Sequence, residues 1–110
     1  MTNEFIDKWQ LQVKKGTLSF IVLLVLNEKK LYGYELIDKI KKLTDIEIAE
    51  GTLYPLMNRL STEGLLNSEW VEQETGIPRK YYVITYLGKE TLEEMKKHWN
   101  DLQILLNNLM

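Results

Sequence analysis

Cysteine is absent from the 110 residues. No disulfide framework, thiolate metal site or thiol nucleophile can therefore exist in this chain. Histidine is nearly absent too, with His98 alone, and no glycine-rich phosphate loop or Ser/His/Asp arrangement occurs, so enzymatic readings have little to draw on. Long apolar runs are missing. The longest, Phe20 to Leu26, is seven residues, against the roughly 20 that cross a bilayer. A basic leader is missing as well: the start is polar and carries two early acids, Glu4 and Asp7, which do not suit a secretory signal. The cytoplasm is then the default compartment, with no membrane among the partners. Finally, an excess of positive charge is lacking, since 14 basic residues face 16 acidic ones for a net −2. That balance counts against nucleic-acid binding.

What is present is an ordinary globular composition, 45% hydrophobic and 27% charged. The length suits one domain of ordinary size, and neither half could bury a sufficient core alone. Phe5, Trp9 and Val13 recur every four residues, which predicts an amphipathic helix over 4–14. Gly16-Thr17 punctuates it, although the helix could run through. Leu18 to Leu26 is apolar at nearly every position, as in a helix buried all round. After a polar turn at Asn27–Lys30, Gly33 opens a helix with Leu36, Ile37, Ile40 and Leu43 on one face.

Leu53, Leu56, Met57 and Leu60 give the i, i+3, i+4, i+7 pattern of a further helix, closed at Glu63-Gly64. Two β-branched and aromatic runs, Leu65–Gln73 and Arg79–Thr85, flank a turn at Glu74–Pro78 and predict a hairpin. Thr85 can cap a last helix. The order is α, α, α, α, β-hairpin, α: a mostly helical α+β winged helix-turn-helix with an added helix at each end. Residues 1–85 form the winged domain, with the 4–14 helix joining a dimer interface, and 86–110 the C-terminal dimerisation helix.

With the leucines of 53–60 turned inward, 100° per residue places Gly51, Pro55, Asn58 and Thr62 outward, flanked by Tyr54 and Arg59. An amide, a guanidinium and two hydroxyls suit base edges and phosphates. A solvated face on an ordinary helix would look the same. Arg79 and Lys80 begin the second strand of the hairpin, at the rim of a wing. Glu69, Glu72 and Glu74 on the other strand could pair with them and dilute their field. Lys39, Lys41, Lys42, Arg59, Arg79 and Lys80 converging on one side would offset the negative total.

On the last helix Leu92, Met95, Trp99, Leu102, Leu106 and Leu109 are spaced 3, 4, 3, 4 and 3. That alternation calls for a partner helix. A homodimer seam through Phe5, Leu92, Leu102, Leu106 and Leu109 is expected, the alternative being intramolecular packing. Trp99, with Met95, Trp9, Val13 and Phe20, would then line a slot for a small planar apolar or aromatic effector, or Trp99 packs the interface alone. Glu94, His98 and Asp101 fall at i, i+4, i+7, a ladder that could hold a divalent cation. Helix surfaces make such ladders by chance, so neither a metal site nor any cofactor is expected.

Taken in order, the strings Leu31-Tyr32-Gly33-Tyr34-Glu35-Leu36, Glu50-Gly51-Thr52-Leu53-Tyr54-Pro55-Leu56, Arg59-Leu60, Glu63-Gly64-Leu65, Arg79-Lys80-Tyr81-Tyr82 and Thr85-Tyr86-Leu87-Gly88 resemble those of PadR-type transcriptional regulators. The single short C-terminal helix is similar to the compact subfamily. The resemblance implies a homodimeric repressor that binds double-stranded DNA at an inverted-repeat operator and is released by a small molecule. It implies that Tyr34 and the Thr52-Leu53-Tyr54-Pro55 turn meet DNA, that Asn58 and Arg59 follow into the groove, and that Arg79 and Lys80 sit on the wing. It also implies a drug-sensing aromatic on the last helix, where Trp99 falls. Two other classes stand beside it. One is a winged-helix protein–protein module without DNA binding, favoured by the acidic balance. The other is a metal-dependent enzyme resting on the Glu94/His98/Asp101 ladder.

Overall fold

The computed structural model describes residues 3–110; Met1 and Thr2, which begin the polar start and the winged domain as read from sequence, lie outside them. Helix α1 spans Glu4–Leu26. Its first turn is satisfied from outside, because the Asn3 side chain accepts from the Ile6 N–H at 3.2 Å. Glu4 and Asp7 complement the helix dipole there. The expected break at Gly16-Thr17 does not occur. A lone glycine costs a helix only about 1 kcal/mol relative to alanine, and the Thr17 hydroxyl folds back to donate to the Val13 carbonyl at 2.8 Å. Among the described residues three helices therefore precede the hairpin, rather than four.

Strand β1 is Leu31–Tyr32, α2 Gly33–Thr44, α3 Glu50–Thr62, β2 Leu66–Val71, β3 Arg79–Ile84 and α4 Tyr86–Leu109. The sheet runs β1-β3-β2, antiparallel throughout, with Leu31 opposite Tyr82 and Leu66 opposite Ile84. Strand β1 has no counterpart in the sequence reading, because two residues are too few to show a period. Helix α3 ends as its glycine predicts: Gly64 has φ +81°, the Leu65 N–H reaches the Leu60 carbonyl at 2.9 Å and the Gly64 N–H reaches Ser61 at 3.0 Å. Those two bonds are the Schellman closure.

The core gathers Leu23 and Leu26 of α1, Leu36 and Ile40 of α2, Leu53 and Met57 of α3, Leu66 of β2 and Leu92 of α4, all nearly or fully enclosed. Leu92 thus belongs to the subunit's own interior and cannot line a seam between copies, as its heptad spacing had suggested. Burial of 18–26 is also less than all round: Leu18, Val22, Leu23, Val25 and Leu26 are covered, while Phe20, Ile21 and Leu24 are partly open. At the start of α4 the Thr85 hydroxyl donates to the Gly64 carbonyl at 2.7 Å and accepts from the Gly88 N–H at 2.9 Å. A side chain at Gly88 would collide with the Leu65 carbonyl and Ile84, so glycine lets α4 seat directly on the sheet.

Both long helices outrun this core. Residues 4–16 of α1 and 97–109 of α4 are exposed throughout, although they carry Phe5, Trp9, Leu11 and Val13 on one helix and Trp99, Leu102, Leu105, Leu106 and Leu109 on the other. The accessible surface is 8133 Å², where a closed monomer of this mass exposes about 6,300 Å². The radius of gyration is 16.0 Å, against about 13 Å for a compact chain of this length. No helix among the described residues is long and apolar enough to cross a membrane.

Candidate nucleic-acid interface

Helix α3 divides as its period predicts. Leu53, Leu56, Met57 and Leu60 are buried, while Gly51, Thr52, Pro55, Asn58, Arg59 and Thr62 are exposed. None of the described residues covers the face that carries Asn58 and Arg59. The Thr62 hydroxyl donates to the Asn58 carbonyl at 2.9 Å, so it offers a ligand only acceptor capacity. Pro55 is the sixth residue of α3, past the first turn, and its missing N–H leaves the Gly51 carbonyl without its helical partner. Gly51 is exposed, so water can take that place.

Tyr54 differs from the expectation of a free contact. It is 36% exposed, and its hydroxyl end lies on Gly33 at the start of α2, where any Cβ would strike the ring. The Gly33–Tyr54 contact sets how closely α2 approaches α3. Tyr34, one residue on, is 66% exposed. Hydrogen bonding to the Glu50 carboxylate, and the charge of that group, push its phenol above the ordinary value.

Aromatic contacts tie the wing to Tyr32, which leads into α2. The Arg79 guanidinium lies 4.6 Å from the centre of the Tyr32 ring, and Tyr32 meets Tyr81 edge-on at 5.4 Å. Lys80 lies 5.5 Å from the Tyr82 ring, whose phenol burial pushes up. Cation–π contacts of this kind hold a charge in place without neutralising it. Glu69 does not pair with Arg79 or Lys80, as the hairpin sequence had allowed, but with Lys30 at 2.9 Å.

The α2 lysines do not supply the positive field expected of them. Lys39 pairs with Glu28 at 3.6 Å, Lys42 with Asp38 at 2.8 Å, and Lys41 with Glu47. Two other lysines stand beside α3 instead. Lys15 lines a groove with Ser19, Thr52, Pro55 and Arg59, and Lys14 joins it in the adjoining groove beneath Thr52. Periodicity could not find them, because nothing local says which element α1 will lie against.

A third groove, of about 450 Å³, runs between Val13, Gly16, Thr17, Ser19 and Phe20 of α1 and Met95, His98, Trp99 and Leu102 of α4. Phe20 and Trp99 are 6.0 Å apart, tilted by 47°. Trp9 does not line it, lying a turn farther out on α1, whereas His98 does. Among the described residues no three His, Asp or Glu side chains come together closely enough for a metal, so the Glu94/His98/Asp101 ladder makes no site.

A family model described as transcriptional regulator PadR-like matches residues 22–94. The chain is similar to a padR family transcriptional regulator from Eggerthella lenta, with 38% identity, a TM-score of 0.88 and 96% of this chain and 92% of that one covered. A PadR-like transcriptional regulator from Bacillus cereus is 38% identical with a TM-score of 0.80, covering 89% and 95%. An uncharacterised protein of Lysinibacillus sphaericus is 35% identical over 98 residues, 87% of this chain and 90% of its own.

Proposed function

From the premise that the chain belongs to the PadR-like family of transcriptional regulators, and is a winged-helix DNA-binding regulator, we propose that it acts as a homodimeric repressor of an inverted-repeat operator. The bare face of α3 supports this reading most directly. Asn58 and Arg59 stand in solvent on a helix whose opposite side is locked into the core, the disposition that lets an amide and a guanidinium reach base edges in a major groove. Tyr34, Thr52 and Pro55 border that face, Tyr54 holds its angle against α2, and Arg79 and Lys80 extend it onto the wing.

The partner is a second copy. The surplus of accessible surface, about 1,800 Å² per chain, is roughly twice the 800 Å² that each partner gives to a standard interface, and the apolar residues that stand open include Phe5, Trp9, Leu102, Leu106 and Leu109. The groove beside Trp99 would take a planar apolar effector. An effector releases DNA only if it binds one spacing of the two recognition helices better than the other.

Footprinting the protein on the DNA upstream of its own gene tests the operator. Protection of two half-sites with centres about 34–36 Å apart is expected, and Arg59→Ala should abolish it while sedimentation still reports a dimer. A salt-independent affinity for duplex would instead favour a protein–protein module. Quenching of Trp99 fluorescence by a planar aromatic cation, with unchanged operator affinity at saturation, would remove the effector switch.

A further inference from the structure

Helix α1 carries two different faces at one level. At 100° per residue, Leu11, Lys14, Lys15 and Leu18 lie opposite Val13, Gly16, Thr17 and Phe20. The second set faces α4 and lines the groove beside Trp99. The first set faces α3 and its leading loop: Leu18 is buried there as the anchor, and Lys15 lies one turn before it, across a groove from Thr52, Pro55 and Arg59. Lys14 stands in the adjoining groove with Glu47, whose carboxylate is engaged by Lys41. Lys14 and Lys15 are exposed, and neither has a carboxylate within ion-pairing distance among the described residues. Each cation of α2 does have such a partner.

We propose that Lys14 and Lys15 form a clamp for the DNA phosphodiester backbone alongside the recognition helix, gripping the strand that borders the groove α3 enters. The clamp rests on the DNA-binding reading above and adds to it the residues that supply affinity. Two exposed ammonium groups beside Arg59 give a cationic rim to a protein whose total charge is negative. Because lysine meets phosphate as a point charge, the clamp favours duplex of any sequence, and the choice of sequence stays with α3.

Fluorescence anisotropy on a labelled duplex of about 30 base pairs, three helical turns, taken from the footprinted fragment, tests this beside a shuffled duplex of equal composition. Each neutralised phosphate contributes about 0.9 to the log–log salt slope. Lys14→Gln with Lys15→Gln removes two contacts from each copy of the dimer, so it should lower the slope by about 3.6 and weaken both duplexes by the same factor, leaving their ratio intact. Lys15→Arg should restore its share, and Lys97→Gln on α4 should change nothing. Full-length parent that binds duplex with a slope the double variant does not alter overturns the clamp alone. A parent that binds neither duplex overturns the regulator reading and the clamp with it. A change confined to the matched duplex would also overturn it, by making the lysines readers of sequence.

Discussion

The inner and outer halves of α1 both carry large apolar side chains, and these meet different fates. From Leu18 to Leu26 the helix is pressed between α2, the sheet and α4, and Val22 and Leu23 have no exposed surface. From Phe5 to Val13 comparable apolar side chains stand in solvent, with Phe5 at 74% and Trp9 at 51% exposure. Helix α4 repeats the contrast, since Leu92 is fully enclosed and Leu109 is 84% exposed. Apolar character alone therefore does not decide burial in this fold; the reach of the core decides it too. The body completes itself within one chain, and in the proposed homodimer the arms are completed by a second one.

The largest expected effect separates these two kinds of apolar residue. Leu23→Ala should cost about 3–5 kcal/mol through lost burial and a cavity, and that cost should be the same at every protein concentration. Leu106→Ala, at a position 44% exposed, should change thermal stability only where the parent is associated. Calorimetry across a hundredfold dilution checks both, because association makes the melting temperature depend on concentration. A concentration-independent loss at Leu106 would erase the distinction between body and arm.

Second in size is the seam between sheet and arm. Gly88→Ala places a methyl against the Leu65 carbonyl and Ile84. A carbonyl cannot step aside as a flexible side chain can, so about 2–3 kcal/mol of overpacking is expected, measured by urea unfolding. Thr85→Ala ranks third. It removes the cap on the Gly88 N–H and hands the exposed Gly64 carbonyl to water, for about 1 kcal/mol. If Gly88→Ala costs less than Thr85→Ala, α4 does not seat on the sheet as closely as described.

Most of the body was legible in the sequence, and the reason is that its elements are periodic. The α3 leucines, the Gly64 closure, the Thr85 cap and the hairpin each follow from a local rule, and each stands where that rule puts it. Non-local features were not legible. Strand β1 exists only because β3 offers it an edge, and Leu92 shares the spacing of the arm while belonging to the core. The candidate site divides in the same way. The outward face of α3 can be drawn from a helical wheel, but the partners of Lys39, Lys41 and Lys42, the seat of Tyr54 on Gly33, and the position of Lys14 and Lys15 depend on how separate elements meet.

The smallest effect on stability concerns charge, and it sharpens the comparison from the side of the surface. No charged side chain is buried among the described residues, so the body gives pH little to act on, and the Lys41–Glu47 pair is the place to look. Hydrogen bonding to Lys41 holds the Glu47 carboxyl below its ordinary value, and the same bond holds Lys41 above its own. A depressed carboxyl stabilises the fold above its unfolded pKa and loses that contribution as pH falls through its folded one. A raised lysine stabilises below its unfolded pKa and loses the contribution as pH rises through the folded one. Glu47→Gln should thus differ from the parent across the whole neutral range, by a small amount because the pair is exposed, and the two should converge in acid below the carboxylate range. A gap that widens in acid would mean that Glu47 is not held by Lys41. The same substitution releases Lys41 and removes the carboxylate from the groove of Lys14, so the salt slope for duplex should steepen, by at most about 1.8 for one added phosphate contact in each copy of the proposed dimer. A residue nearly silent in folding would then prove audible in DNA binding, as a surface site that restrains the charge of the regulator rather than supporting its fold.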